Sequence, residues 1–235
     1  MMGIQERKQR EREQRRTAII NTAMRIFLKK GLADTTMEEI AAKAEYSKAT
    51  LYLYFKNKEE LLSVTIILVL KQFIAVLEEH QSRAGNLEKR IKSIGEAYLD
   101  FYDRFPGHFK LLNSMNPIED FDFSKNEGCL ELIAMNRQVW EVVCRPIVEA
   151  IRSGILESDT DPLEIGVMLW TGSTGILNLH SHLKHSGPHR VELPEEHRNS
   201  ELSRISQLDY HKMVLHLGDA VISSVRKTGF RGWGR

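Results

Sequence analysis

The sequence predicts an all-α fold, and three observations carry that prediction. Apolar residues recur at the spacing of a helix nearly throughout. Residues that favour helix N-caps, Thr36, Ser47 and Asn57, stand at the head of successive periodic segments. Neither strand pairs nor an internal repeat can be found. The single strand-like stretch is Leu51-Tyr52-Leu53-Tyr54-Phe55, which alternates aliphatic and aromatic side chains. With 42% hydrophobic residues in a chain of 235, there is material for one or two domains with real cores.

Taken in order, Ile19, Ile20, Ala23, Ile26 and Phe27 share one stripe, so a first helix runs from Gln9 to Lys30 and stops at Gly31. Thr36 with Glu39 forms a capping box, and Met37, Ile40, Ala41 and Ala44 mark the inner face of a second helix of about three turns. After a gap of only Glu45 and Tyr46, Ser47 caps a third helix. Asn57 caps a fourth, with Glu59 and Glu60 in the first turn where the helix dipole favours anions, and periodicity lasts to about Arg83. Asn86 to Phe105 repeats the pattern, and Pro106-Gly107 interrupts it before a short helix through Leu111 and Leu112. Asn116 to Phe123 reads as a loop. Two long helices follow, Gly128 to Ser153 and Pro162 to Lys184, the second opening on a proline at its first position. A polar stretch, Ser186 to Ser203, precedes a last helix at about Ile205 to Lys227.

The third helix carries two apolar faces. Leu51 and Phe55 are four apart and point together, while Ala49 and Leu53 point the other way, flanked by Thr50 and Tyr52. One face needs the core made with the first two helices. The other is free for a second partner. A capped helix, a short turn and a second capped helix make the helix-turn-helix arrangement, whose second helix places its N-terminal residues against base edges in the major groove. Ala49 allows close approach, Leu53 suits a thymine methyl, Thr50 a base or phosphate, and Tyr52 and Tyr54 reach phosphates through their hydroxyls. Lys48 and Lys58 bracket the helix with positive charge.

Charge distribution points to the same end of the chain. The net charge is only +1, yet residues 1–58 hold 13 Lys/Arg against 7 Asp/Glu, and residues 59–235 hold 20 against 25. The run from Arg7 to Arg16 is either a solvated face, diluted by Glu6, Glu11 and Glu13, or an arm that contacts DNA phosphate or the minor groove.

Other classes are less well served. No Ser/His/Asp spacing, glycine-rich phosphate loop or HExxH is present, so neither an enzyme nor a bound cofactor is expected. The "GSTG" at Gly172 to Gly175 lies in an apolar helix and suits close helix packing. His180, His182, His185 and His189 do not make a metal site: the first two face nearly opposite ways, and Gly187-Pro188 interrupts the helix before the last. Cys129 and Cys144 show no metal or redox spacing, which suits a reducing cytosol. The N-terminus, MMGIQERKQREREQRR, is charged where a signal peptide needs an apolar core. The longest apolar run, Leu61 to Leu70, is about half of what a bilayer span needs, and Lys71 ends it. A cytoplasmic protein without membrane insertion is expected.

The residues "AMRIFLKKGLADTTMEEIAAKA" followed by "SKATLYLYFKNKEEL" resemble the TetR family of transcriptional regulators, over roughly Arg16 to Leu62. The resemblance implies a three-helix DNA-binding domain, here 1–58, whose third helix does the reading. It also implies a larger helical ligand-binding and dimerisation domain, here 59–235, and homodimers on near-palindromic operators. Position by position, the implied DNA contacts fall on Thr36, Ser47, Lys48, Ala49, Thr50, Tyr52, Leu53, Tyr54 and Lys58. Many members have Gly at the place of Ala49, and a polar or larger aromatic residue at that of Leu53.

In the large domain the resemblance implies that Pro162 to Lys184 and Ile205 to Lys227 pack against their copies in a partner, with Gly166, Gly172, Ser173 and Gly175 permitting close approach. Phe101, Tyr102, Phe105, Phe109, Met115, Trp140, Met168 and Trp170 are candidate walls of a small-molecule pocket, although aromatic and Met residues at helical spacing equally serve a core. The expected function is a repressor released from its operator by a small-molecule effector. Two alternatives remain open: a regulator of the same fold with no small-molecule inducer, and a helical protein-interaction adaptor.

Overall fold

The computed structural model describes residues 3–114, 128–185, 205 and 208–226. Met115, His189 and the 186–203 segment singled out above lie outside the described residues. The helices are α1 (Ile4–Lys30), α2 (Met37–Lys43), α3 (Lys48–Tyr52), α4 (Lys58–Arg83), α5 (Leu87–Arg104), α6 (Pro106–Ser114), α7 (Gly128–Arg152), α8 (Pro162–His185) and α9 (Tyr210–Ser224). Among the described residues the only extended pairing is an isolated bridge between Leu156 and Arg226. The fold is all-α, with an N-terminal helix-turn-helix domain and a larger C-terminal helical domain.

Two compact units are built from these helices: residues 1–73 with 105–139, and residues 74–104 with 140–235. In the first, Ile19, Ile20, Ala23, Ile26 and Phe27 of α1 are buried with Met37, Ile40 and Ala41 of α2, Leu51, Phe55, and Leu61 and Leu62 of α4. Helix α6 packs on α1, where a Cβ at Gly107 would sit 3.6 Å from Leu28. In the second unit α9 packs along α8 and against α5. Arg90 of α5 holds Glu149 of α7 through two hydrogen bonds of 2.5 and 3.2 Å. The buried Gln81 amide donates to the Val142 carbonyl at 3.1 Å, and the Tyr98 and Thr174 hydroxyls lie 2.6 Å apart. These polar groups enter the core with a partner, the condition under which burying them is tolerated.

Several boundaries move for identifiable reasons. Helix α1 starts at Ile4, not Gln9, because its polar first turns support one another: Glu6 accepts from the Gly3 N–H at 2.8 Å, Arg7 donates to Glu11 at 3.1 Å, and Gln9 to Glu13 at 3.2 Å. Helix α2 is only seven residues long. Its capping box is half-formed: the Thr36 hydroxyl accepts from the Glu39 N–H, but the Glu39 carboxylate pairs with Lys30. At α4 Asn57 accepts from the Glu60 N–H at 2.7 Å, and the Glu60 carboxylate reaches one residue past the cap to accept from the Lys56 N–H at 2.6 Å. Asp209, rather than a residue near Ile205, caps the last helix.

Helix α4 also corrects the apolar-run reading. It is long and apolar enough to cross a membrane by length and composition, because Phe73, Ile74, Val76 and Leu77 continue the pattern past Lys71. Most of its apolar stretch is buried inside the protein, which is the environment of a core helix.

Candidate nucleic-acid interface

The turn between α2 and α3 is made by backbone hydrogen bonds. The Tyr46 N–H donates to the Ala41 carbonyl at 2.9 Å and the Glu45 N–H to Ala42 at 3.2 Å, the paired bonds of a Schellman helix end. That geometry requires a left-handed residue after the cap, and Glu45 supplies it with φ of 61°. Glycine is the usual occupant of such a position. Ser47 then caps α3: its hydroxyl accepts from the Thr50 N–H at 3.0 Å and lies 2.8 Å from the Thr50 hydroxyl.

Helix α3 is short, and its two faces separate as its spacing requires. Leu51 and Phe55 are buried at 0% and 1% exposure. Tyr52 and Leu53 stand outward at 44% and 77%. Thr36, Ser47, Lys48 and Ala49 are also exposed, and Thr50, Tyr54 and Lys58 are half-buried. An exposed Tyr at the end of a five-residue helix, followed by an exposed Leu at its C-cap, leaves apolar surface facing outward.

Charge around this surface is arranged by specific contacts. Lys48 ion-pairs with Glu38 of α2 and sits 5.8 Å over the Tyr52 ring. The hydrogen bond between Lys48 and Glu38 raises the lysine above its ordinary value and lowers the carboxyl below its own. Arg16 of α1 lies 5.5 Å over the Phe55 ring. Lys58 is placed differently from what its sequence position suggests. Its ammonium donates to the carbonyls of Leu32 at 2.9 Å, Ala33 at 3.2 Å and Thr35 at 3.2 Å. An ammonium has three protons. Each of them has a carbonyl on the loop that leads into α2, a role that sequence reasoning missed because backbone acceptors leave no residue signature.

Among the candidate pocket residues, Phe101, at 0% exposure, belongs to the second unit, and Phe109, at 3%, belongs with Phe105 to the first. Within the second unit Trp140 and Trp170 meet edge-on at 6.0 Å, and a Cβ at Gly166 would come 3.2 Å from Trp140. Tyr102 meets His180 and Tyr210 edge-on at 6.3 and 5.8 Å. Met168 and Trp170 are 45% and 46% exposed. Burial pushes the Tyr210 hydroxyl up to about 12, with its hydrogen bond to Asp103 adding to the effect. Among the described residues no three His, Cys, Asp or Glu side chains converge as a metal site would require.

Comparison with known proteins adds sequence and fold relationships. Residues 19–64 match the model of the family described as bacterial regulatory proteins, tetR family. The chain is 36% identical over 93 residues to the uncharacterized HTH-type transcriptional regulator YerO of Bacillus subtilis, covering 38% of this chain and 32% of that one. It is 32% identical over 89 residues to the HTH-type transcriptional regulator TtgR of Pseudomonas putida, covering 38% and 40%. The match spans about a third of the length of two of the curated relatives, 32% and 36%. The fold extends further. The Bacillus subtilis regulator FadR in complex with stearoyl-CoA superposes with a TM-score of 0.64 at 15% identity, over 89% of this chain and 99% of that one. A TetR family regulator from Marinobacter aquaeolei does so with a TM-score of 0.61 at 21% identity, over 89% and 97%.

Proposed function

Residues 19–64 belong to the tetR family of bacterial regulatory proteins, and from that premise we propose that the chain is a homodimeric, sequence-specific DNA-binding regulator of the cytoplasm. Its operator is near-palindromic, and it acts as a repressor released by a small-molecule effector. The observation that carries the proposal is the outward face of α3: Tyr52 and Leu53 exposed above a buried Leu51 and Phe55. Thr36, Ser47, Lys48, Ala49, Thr50 and Tyr54 complete the reading surface. Lys58 acts on it by holding the start of α4 to the loop before α2, since a phosphate contact would require giving up one of three carbonyls.

Apolar surface on α8 supports the homodimer. Leu163, Val167, Met168, Trp170, Leu179 and Leu183 are all more than a third exposed, and exposed apolar side chains on one helix are material for a contact with a second copy. Two recognition helices roughly 34 Å apart match one turn of duplex. An effector that favours another spacing lowers DNA affinity by its differential binding to the two states. Tyr102, Trp140 and Trp170 are the effector-facing candidates in the second unit, and acyl-CoA thioesters are a reasonable first set to screen by thermal shift, given the fold neighbour that holds stearoyl-CoA.

The test is selection from a random duplex library with the wild-type chain. Enrichment of a two-fold symmetric site, with Tyr52→Ala weakening its binding at least about tenfold while the dimer persists in sedimentation, is the expected result. A library that returns no enriched site sinks the reading and favours the adaptor. A regulator that binds its site but is stabilised and released by no small molecule retains the DNA-binding part alone.

A further inference from the structure

Helix α1 begins well before the matched domain, and Ile4 to Arg15, about 18 Å of helix, are exposed throughout. Its charges are sorted by face. On a helix turning about 100° per residue, Lys8, Arg12, Arg15 and Arg16 fall within about 100° of arc. That arc is centred on the same side as Ile19, Ala23 and Ile26, which are buried against the rest of the first unit one turn later. The face that packs onto the helix-turn-helix domain therefore continues past its edge as a basic stripe. The carboxylates are engaged within the helix: Glu6 by the Gly3 N–H, Glu11 by Arg7 and Glu13 by Gln9. Among the described residues Lys8, Arg12 and Arg15 have no ion-pair partner. At the inner end of the stripe Arg16 lies over Phe55, directly after the recognition helix, which fixes the stripe beside the reading surface.

Resting on the DNA-binding reading above, we infer that Lys8, Arg12 and Arg15 form a second, sequence-independent contact of each subunit, binding phosphates of the duplex beyond those reached by the helix-turn-helix. A helical stripe has a fixed direction from the body of the domain, so it extends the footprint outward along the backbone and does not thread a groove as an extended arm would. Arg10, on the far side of the helix, is outside the contact.

Non-specific duplex binding requires no known operator and isolates phosphate contacts. The probe is a random-sequence duplex of about 40 base pairs, titrated by anisotropy at several salt concentrations. The triple variant Lys8→Gln, Arg12→Gln, Arg15→Gln is expected to lower the slope of log K against log salt by about 2.7 per subunit, at about 0.9 per phosphate lost, with a single Arg12→Gln lowering it by about 0.9 and Arg10→Gln leaving it unchanged. An unchanged slope in the triple variant overturns the inference, even if affinity falls, because only neutralised phosphates move the slope. Equal losses for Arg10→Gln and Arg12→Gln also overturn it, since they report bulk charge and not a stripe. Stripe-dependent binding to anionic phosphatidylserine vesicles with an unchanged duplex slope would assign the surface to membranes instead. If the wild-type chain shows no salt-dependent duplex binding, the DNA-binding reading itself fails, a result distinct from all of these.

Discussion

Replacing Lys58 with Met tests whether its ammonium is a structural tie. Met preserves an unbranched apolar stem and removes the donor from the carbonyls of Leu32, Ala33 and Thr35. A bond from a charged donor contributes about 1.5–3 kcal/mol at most. The side chain is half-buried and water can reach the vacated carbonyls, so three such bonds together are discounted to about 1–2 kcal/mol. For a chain of 235 residues that corresponds to melting roughly 2–8 °C earlier. Thermal and urea unfolding followed by circular dichroism read the change. Lys58→Arg should restore less than half of it, because a planar guanidinium cannot point donors at three converging acceptors. Duplex binding supplies the second reading: loss of a tie lowers affinity without altering the salt slope, whereas loss of a phosphate contact lowers the slope by about 0.9. A Met variant as stable as wild type, with that reduced slope, refutes the reasoning and returns Lys58 to the DNA.

Three further perturbations follow. Glu45→Gly relieves a left-handed residue at the end of α2, a gain of about 1–2 kcal/mol offset by roughly 0.4–1 kcal/mol of added chain entropy, so the variant should unfold at slightly higher urea; no gain means that the Glu45 side chain compensates elsewhere. A Cβ at Gly172 would run into Leu217, so Gly172→Ala should fail to deliver the roughly 1 kcal/mol of helix propensity that it delivers in a Leu217→Ala background, and additive effects would show that α8 and α9 are not in contact there. Burial alone pushes the Asp100 carboxyl up, but hydrogen bonds from Arg104 and His80 outweigh it and hold the group below the usual aspartate value. A depressed carboxyl stabilises the fold fully above its unfolded value and ceases to do so as pH falls through its folded one. Asp100→Asn should therefore be less stable than wild type near neutrality and converge with it once acid has taken the folded carboxyl through its depressed value, and a gap that persists in stronger acid would remove the carboxylate from the account.

The fold was legible where packing obeys local spacing. Leu51 and Phe55 point in and Leu53 out because four-residue spacing admits no other helix. Gly31 ends α1 with φ of 78°, and Asn57 and Asn86 cap α4 and α5, because those signals act within a few residues. What escaped depends on partners distant in sequence. Lys58 meets acceptors 23 to 26 residues away, and they are backbone atoms. The start of α1 was missed because Ile4 to Gln9 lacks an apolar stripe and is held by charged and amide pairs alone. Phe101 and Phe109, two of the candidate pocket walls, are buried, and helical periodicity marks a core position and a pocket wall alike. Gly166 and Gly172, which the sequence suggested for contact between copies, meet Trp140 and Leu217 of the same chain, while Gly175 alone faces open space.

The brevity of α3 has its own consequence. Five residues close barely more than one helical turn, far short of what persists by itself in water. An excised peptide spanning 47–55 should be a random coil. The shape of its outward face is thus lent by α2, which packs against it, and by the core that Leu51 and Phe55 enter, so a change that loosens this floor should remove that face as well.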